Sequence, residues 1–161
     1  MNGAPIRRIV VGVDGSEAAA RALEWAIGLA APMDAEVIAV YAWELPSSVP
    51  RPAGAPSVPQ TENWERAVRQ DFEMRWCAPL MAASVRHRTI FAIGPAGDVL
   101  LHEAEALVAD LVVTGQRGRG GLVELLAGSV SQRVVHGAHC PVVVVPPVRA
   151  ARAVTPAEAT A

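Results

Sequence analysis

Four short apolar runs rich in β-branched residues, and a weaker fifth, are separated by stretches of helical spacing, and this rhythm constrains the chain more than any other feature. The runs fall in Ile6–Val13, around Ile9-Val10-Val11, then Val37–Trp43, Val85–Ile93, Leu111–Thr114 and Val142–Val145. Most of them are continuously apolar, without the in-out alternation of a half-solvated strand. Such strands are buried on both faces, which calls for a parallel sheet with helices above and below. Right-handed crossovers then leave a crevice beyond the carboxyl ends of the strands, where strand order reverses. The expected fold is a single-domain, doubly wound, Rossmann-like α/β structure. Its five parallel strands run in the order 3-2-1-4-5, so that strands 1 and 4 flank the crevice.

Local signals fill in the helices. Gly12 and Gly15 punctuate the first strand, and Ser16 is placed to cap a helix in which Leu23, Ala26, Ile27 and Ala30 recur at helical spacing. A second helix is predicted over Glu62–Ser84, its apolar stripe formed by Trp64, Val68, Phe72 and Trp76, with Pro79 kinking or ending it. Helices are also expected over Pro95–Ala109 and Ser129–His136. Arg86, His87 and Arg88 suit an edge position for the third strand. Glu44–Gln60 carries five prolines and reads as an irregular loop, while 147–161, rich in Ala, Pro and Arg, reads as a disordered tail. Residues 1–146 would then form the folded domain.

A chain of 161 residues is long enough to bury a core without metal or disulfide support. A formal charge of −2 offers no general attraction to nucleic acid or to an acidic membrane, and neither is expected as a partner. All 14 basic residues are Arg, which excludes lysine chemistry, the phosphate-binding lysine of a Walker A loop included. Cys77 and Cys140 are too few for a disulfide framework, and Cys77, on the apolar stretch of the second helix, is expected to be buried and inert. No leader or membrane-length apolar run is apparent, so a cytoplasmic location is expected.

The chemistry concentrates after the fourth strand. Gly115-Gln116-Arg117-Gly118 is followed by nine residues and then Gly128-Ser129-Val130-Ser131. A glycine-rich turn leaving a strand exposes backbone N–H groups that bind phosphate oxygens, and the start of a helix does the same with its dipole. Ser129 to Gln132 fits a Ser-x-x-Gln capping box, placing a helix start there. Two amide-rich elements at this spacing fit around a polyphosphate. His136-Gly-Ala-His139-Cys140 has no second ligand cluster elsewhere and is read as structural.

The assembled pattern resembles the ATP-binding branch of the universal stress protein family. The resemblance is carried by Ile9-Val-Val-Gly-Val-Asp-Gly-Ser16, Gly94-Pro95, Ala109-Asp-Leu-Val-Val-Thr-Gly115, the Gly-x2-Gly-x9-Gly-Ser spacing and Cys140-Pro-Val-Val-Val-Val145, and spans about residues 6–146. It implies ATP and Mg²⁺ as ligands, with Asp14 facing the ribose or a phosphate-bound metal. Gly12, Val13 and the end of the second strand at Ala42 would line the adenine side, and Thr114 stands where an apolar residue is expected against the base. Gly115, Arg117 and Gly118 would wrap the ribose and phosphates, and Gly128, Ser129, Val130 and Ser131 would hold the phosphate tail. The resemblance also implies a homodimer through strand 142–145, in agreement with the hazard of an exposed apolar edge.

No general base, acceptor site or nucleophile elbow is evident, so the expected function is an ATP-binding regulatory or stress-response module rather than a fast enzyme. The alternatives are a slow ATPase or other ATP-dependent enzyme on the same scaffold, and a nucleotide-independent interaction protein.

Overall fold

A computed structural model describes residues 5–44, 59–116 and 128–147. The Pro-rich stretch from 45 to 58, Arg117, Gly118 and the tail beyond Pro147 lie outside the described residues.

The elements follow the predicted alternation: β1 (Arg8–Gly12), α1 (Glu17–Met33), β2 (Glu36–Trp43), α2 (Pro59–Asp71), a π-helical turn (Phe72–Trp76), α3 (Ala78–Ala82), β3 (Arg86–Ile93), α4 (Ala96–Ala106), β4 (Leu111–Gly115), α5 (Ser129–Gly137) and β5 (Val142–Val145). The strands form one parallel sheet in the order β3-β2-β1-β4-β5. This is the expected order, with β3 and its arginines at one edge.

Period-two alternation deals the strand side chains to two cores. Ile9, Val11, Val37, Ala39, Leu111 and Val113 pack with Leu23 and Ala26 of α1 and with Phe72, Cys77 and Leu80. Val10, Ile38, Val40 and Val112 face the other way, onto Val99, Leu100 and Ala104 of α4 and Val134 of α5. Burying a Val or Ile side chain in such a layer contributes about 1.5–3 kcal/mol, which is why the runs are continuously apolar.

The helix expected over Glu62–Ser84 is instead three pieces. Pro79 has no N–H and its ring would clash with the carbonyl four residues back, so a continuous helix fails just before it. The chain widens into the π turn, where Cys77 N–H bonds to Phe72 O at 3.0 Å, and restarts as α3 with Pro79 in its first turn. The apolar stripe is only partly core. Phe72 is buried and Trp76 packs beside it, whereas Trp64 is 54% exposed and meets Trp43 edge-on at 5.1 Å between ring centroids. Helix α2 also begins at Pro59, inside the span read as loop, as suits a proline at a first helical position.

At the amino end of the sheet, Asp110 Oδ2 accepts from the N–H groups of Arg7 and Arg8 at 2.8 and 2.9 Å, fastening β4 to β1. Helix α4 closes three residues early, in a Schellman turn. Ala109 N–H reaches Ala104 O and Val108 N–H reaches Glu105 O, with Val108 at φ 50° in the left-handed region.

Candidate functional site

The carboxyl ends of β1 and β4 lie side by side, paired through Val11 and Val113. Beyond β1 the chain turns sharply. Gly15 takes φ 76°, Asp14 Oδ1 accepts from Ser16 N–H at 2.9 Å, and Ser16 Oγ accepts from Ala19 N–H at 3.2 Å to cap α1. Gly12 ends β1 on the α4/α5 face; a Cβ there would meet Leu100 Cδ1 at 3.0 Å. Val13 turns its side chain into the α1-side core and donates its N–H to Val40 O at 2.9 Å.

Gly115 is where the first turn of α1 crosses β4. A Cβ at this position would stand 2.6 Å from both the carbonyl carbon and the oxygen of Ala18, so only glycine lets the two backbones approach. Next to it, the Gln116 N–H bonds to Val145 O at 2.9 Å, and the chain returns twelve residues later with Gly128 N–H donating to Gln116 O at 2.7 Å. The two halves of the glycine motif therefore meet in space. Ser131 is buried, and its hydroxyl donates to Gly115 O at 2.8 Å, tying α5 to the end of β4.

The capping box does not form as expected. Gly128 occupies the cap position and helix α5 starts with Ser129 already inside it, so among the described residues no side chain caps the amides of Ser129, Val130 and Ser131. What this end presents is backbone N–H groups and a helix dipole, the anion-binding arrangement of a helix start. Thr114 is buried on the α4/α5 side of β4, and its Oγ1 has no hydrogen-bond partner among the described residues. A buried hydroxyl without a partner is costly.

Alongside this crevice is a cavity of about 240 Å³ lined by Glu44, Pro95, Ala96, Gly97, Asp98, Ser129, Val130 and Arg133. It shares Ser129 and Val130 with the motif, whereas Asp14 and Gly115 do not line it. Sequence reasoning missed Glu44, Asp98 and Arg133, because nothing local marks them. The strand alternation that turns Val40 and Ala42 toward α4 carries Glu44 to the same side, where its Oε1 accepts from Ala96 N–H at 2.8 Å and caps α4 from another element. Arg133 Nε donates to Asp98 Oδ1 at 2.7 Å, and the stem of Arg133 lies over Gly97, where an added Cβ would meet its Cγ at 2.5 Å.

Neither cysteine offers a thiolate here. Burial, with the Glu73 carboxylate adding to it, pushes the Cys77 thiol up to about 12, and burial likewise raises Cys140. Among the described residues no cluster of three metal-ligating side chains occurs, and no helix is long and apolar enough to cross a membrane.

Fold and site together define a doubly wound α/β domain with a glycine-lined crevice at its topological switch point. The model of the universal stress protein family matches residues 5–146, and the chain belongs to that family. It is 34% identical over 145 residues to Universal stress protein MJ0531 of Methanocaldococcus jannaschii, an alignment covering 86% of this chain and 81% of the relative. Mycobacterial relatives, also 34% identical, are longer, and the chain spans only 44–45% of their length. Among solved structures, universal stress protein UspA from Lactobacillus plantarum superposes with a TM-score of 0.76 at 26% identity, covering 89% of this chain and 99% of that one. A universal stress protein in complex with cAMP superposes at 0.62 with 25% identity, covering 89% and 98% of the two chains.

Proposed function

We propose that this chain is an ATP-binding regulatory module of the universal stress protein family, its nucleotide held where β1 and β4 end. The carrying observation is the return of Gly128 to Gln116 at 2.7 Å, which sets the uncapped first turn of α5 against the exit of β4. The donor set suits a polyphosphate: successive amides at a helix start, glycines that admit close approach, and the Thr114 hydroxyl, which has no partner among the described residues. The relative in complex with cAMP supports an adenine nucleotide as the ligand class.

In this reading the amides of Ser129, Val130 and Ser131 hold the phosphates, with Arg117 and Gly118 adding to them. The Ser131 hydroxyl, committed to Gly115, positions the helix. Asp14, next to Gly12 and Val13, serves the ribose or a phosphate-bound Mg²⁺, which would supply charge neutralisation. Ala42 and Thr114 flank the base. The chain acts by binding rather than by fast turnover, in a cytoplasmic setting. Val142–Val145 supports a homodimer, since β5 ends the sheet with three half-buried valines.

Gly128→Asp tests the reading. Gly128 has φ −67° and ψ 158°, a conformation any residue adopts, and Asp is a preferred helix cap, so the variant should melt at or above the wild-type temperature. Its carboxylate would occupy the phosphate position, and ATP affinity by calorimetry should fall at least about tenfold. A folded Gly128→Asp protein that binds ATP as well as wild type removes α5 from the site.

A further inference from the structure

Methionine is among the residue types most often fully buried, yet the three methionines among the described residues all face solvent. Met33, at the end of α1, is 46% exposed, while Met74 in the π turn and Met81 in α3 are each 70% exposed. The inversion is sharpest at the π turn. Phe72, Cys77 and Leu80 are fully buried in the α1-side core and hold this segment onto the sheet. Met74 and Met81 take no part in that core. Two sulfur side chains only three residues apart, Met74 and Cys77, thus meet opposite environments.

That difference decides which sulfur meets an oxidant. A thiol reacts with peroxide as its thiolate, and with Cys77 held at about 12 only about one molecule in 10⁵ carries that form at pH 7. A thioether has no proton to lose, and its sulfur lone pair attacks a peroxide oxygen directly. Reaction then depends on access, which Met74 and Met81 have and Cys77 lacks.

We propose that Met74 and Met81 are sites of reversible oxygen-atom transfer, consuming hydrogen peroxide while the fold stays intact. An S–O bond forms as the O–O bond breaks; sulfur is oxidised by two electrons to the sulfoxide, and the peroxide is reduced to one water. The reaction that consumes the product is a thiol-dependent reduction: two thiols close to a disulfide, the sulfoxide oxygen leaves as water, and the thioether returns. In a core a sulfoxide would bury a polar group, but at these two positions it stays in water and displaces no apolar contact. Met33, less exposed, reacts more slowly. This activity is independent of the nucleotide reading.

The test exposes the full chain to hydrogen peroxide beside free methionine, quenches with catalase at intervals and maps the oxygen by peptide mass spectrometry. Oxygen should appear on Met74 and Met81 at rates within about fivefold of free methionine, and on Met33 more slowly, while Cys77 remains a thiol. The chain oxidised at both positions should melt within about 4 °C of the untreated protein. Methionine sulfoxide reductases for both epimers, supplied with a dithiol, should then remove both oxygens. Met74→Leu and Met81→Leu keep an exposed apolar side chain and should each fold and lose one oxygen of uptake. Slower oxidation of either residue than this, or oxidation of Cys77 ahead of them, overturns the assignment. A larger fall in melting temperature, or sulfoxides that the reductases leave in place, overturns the reversible uptake.

Discussion

Gly115→Ala tests the close approach of α1 to β4. The added methyl would stand 2.6 Å from Ala18 C and O and 2.9 Å from Ala18 Cβ. Two of those three atoms are backbone, so relief requires the first turn of α1 to shift away from β4 rather than a side chain to rotate. Overpacking of this kind costs about 1–3 kcal/mol, and a backbone neighbour places it in the upper half of that range. The loss of unfolded-chain freedom on replacing Gly by Ala offsets about 0.4–1 kcal/mol. The net destabilisation is therefore about 1–2 kcal/mol, and at about 2–4 °C per kcal/mol for a domain of this size the melting temperature falls by about 2–8 °C. Gly28→Ala is the matched control. Gly28 lies in α1 with nothing within 4 Å of its added Cβ, so the same chemical change should stabilise by about 0.5–1 kcal/mol. Urea denaturation of both variants, read by circular dichroism at α-helical wavelengths, gives the two signs. A Gly115→Ala protein as stable as wild type would refute the argument that close approach of α1 to β4 requires glycine.

Three further outcomes follow from individual residues. Val108 sits at φ 50°, is 72% exposed and occupies the left-handed position of the α4 Schellman turn, so Val108→Gly should stabilise by about 1 kcal/mol in chemical denaturation. Gly97→Ala would drive a methyl into the Cβ and Cγ of Arg133 and part α4 from α5, lowering stability by about 1–2 kcal/mol, and a neutral result would show that the arginine stem moves freely. Because burial raises the Cys77 thiol from 9.0 to about 12 in the folded chain, the folded state holds its proton more tightly than the unfolded one. Stability is unaffected below pH 9 and falls by up to about 1.4 kcal/mol per pH unit from there towards 12, a slope that should be shallower in Cys77→Ala when both are unfolded in urea at stepped pH.

Legibility from sequence tracked the range of the interaction. The strands were readable because burial on both faces demands continuous apolar runs, and Ile9-Val10-Val11 or Val142–Val145 have no other use. Gly15 and Ser16 were readable as a turn and cap because their partners, Asp14 and Ala19, lie within three residues. A kink or end of the second helix at Pro79 was foreseen. Its π turn was not, since the widened hydrogen bond from Cys77 to Phe72 follows from how Phe72 and Leu80 must both reach the sheet. Ser129 looked like a cap and is instead a first-turn residue, because the bond from Gly128 back to Gln116 sets where α5 begins.

The sequence alone determined the fold class and the strand order, because periodicity and glycine turns are local properties that survive without coordinates. Tertiary structure alone decided which glycines are obligatory, where the Ser131 hydroxyl is spent, and that Glu44, Asp98 and Arg133 frame a cavity. Glu44 and Ala96 are 52 residues apart and Asp98 and Arg133 are 35 apart. Side chains at such separations meet only once parallel crossovers have stacked α4 and α5 on the sheet, and no pattern in the chain records the meeting in advance.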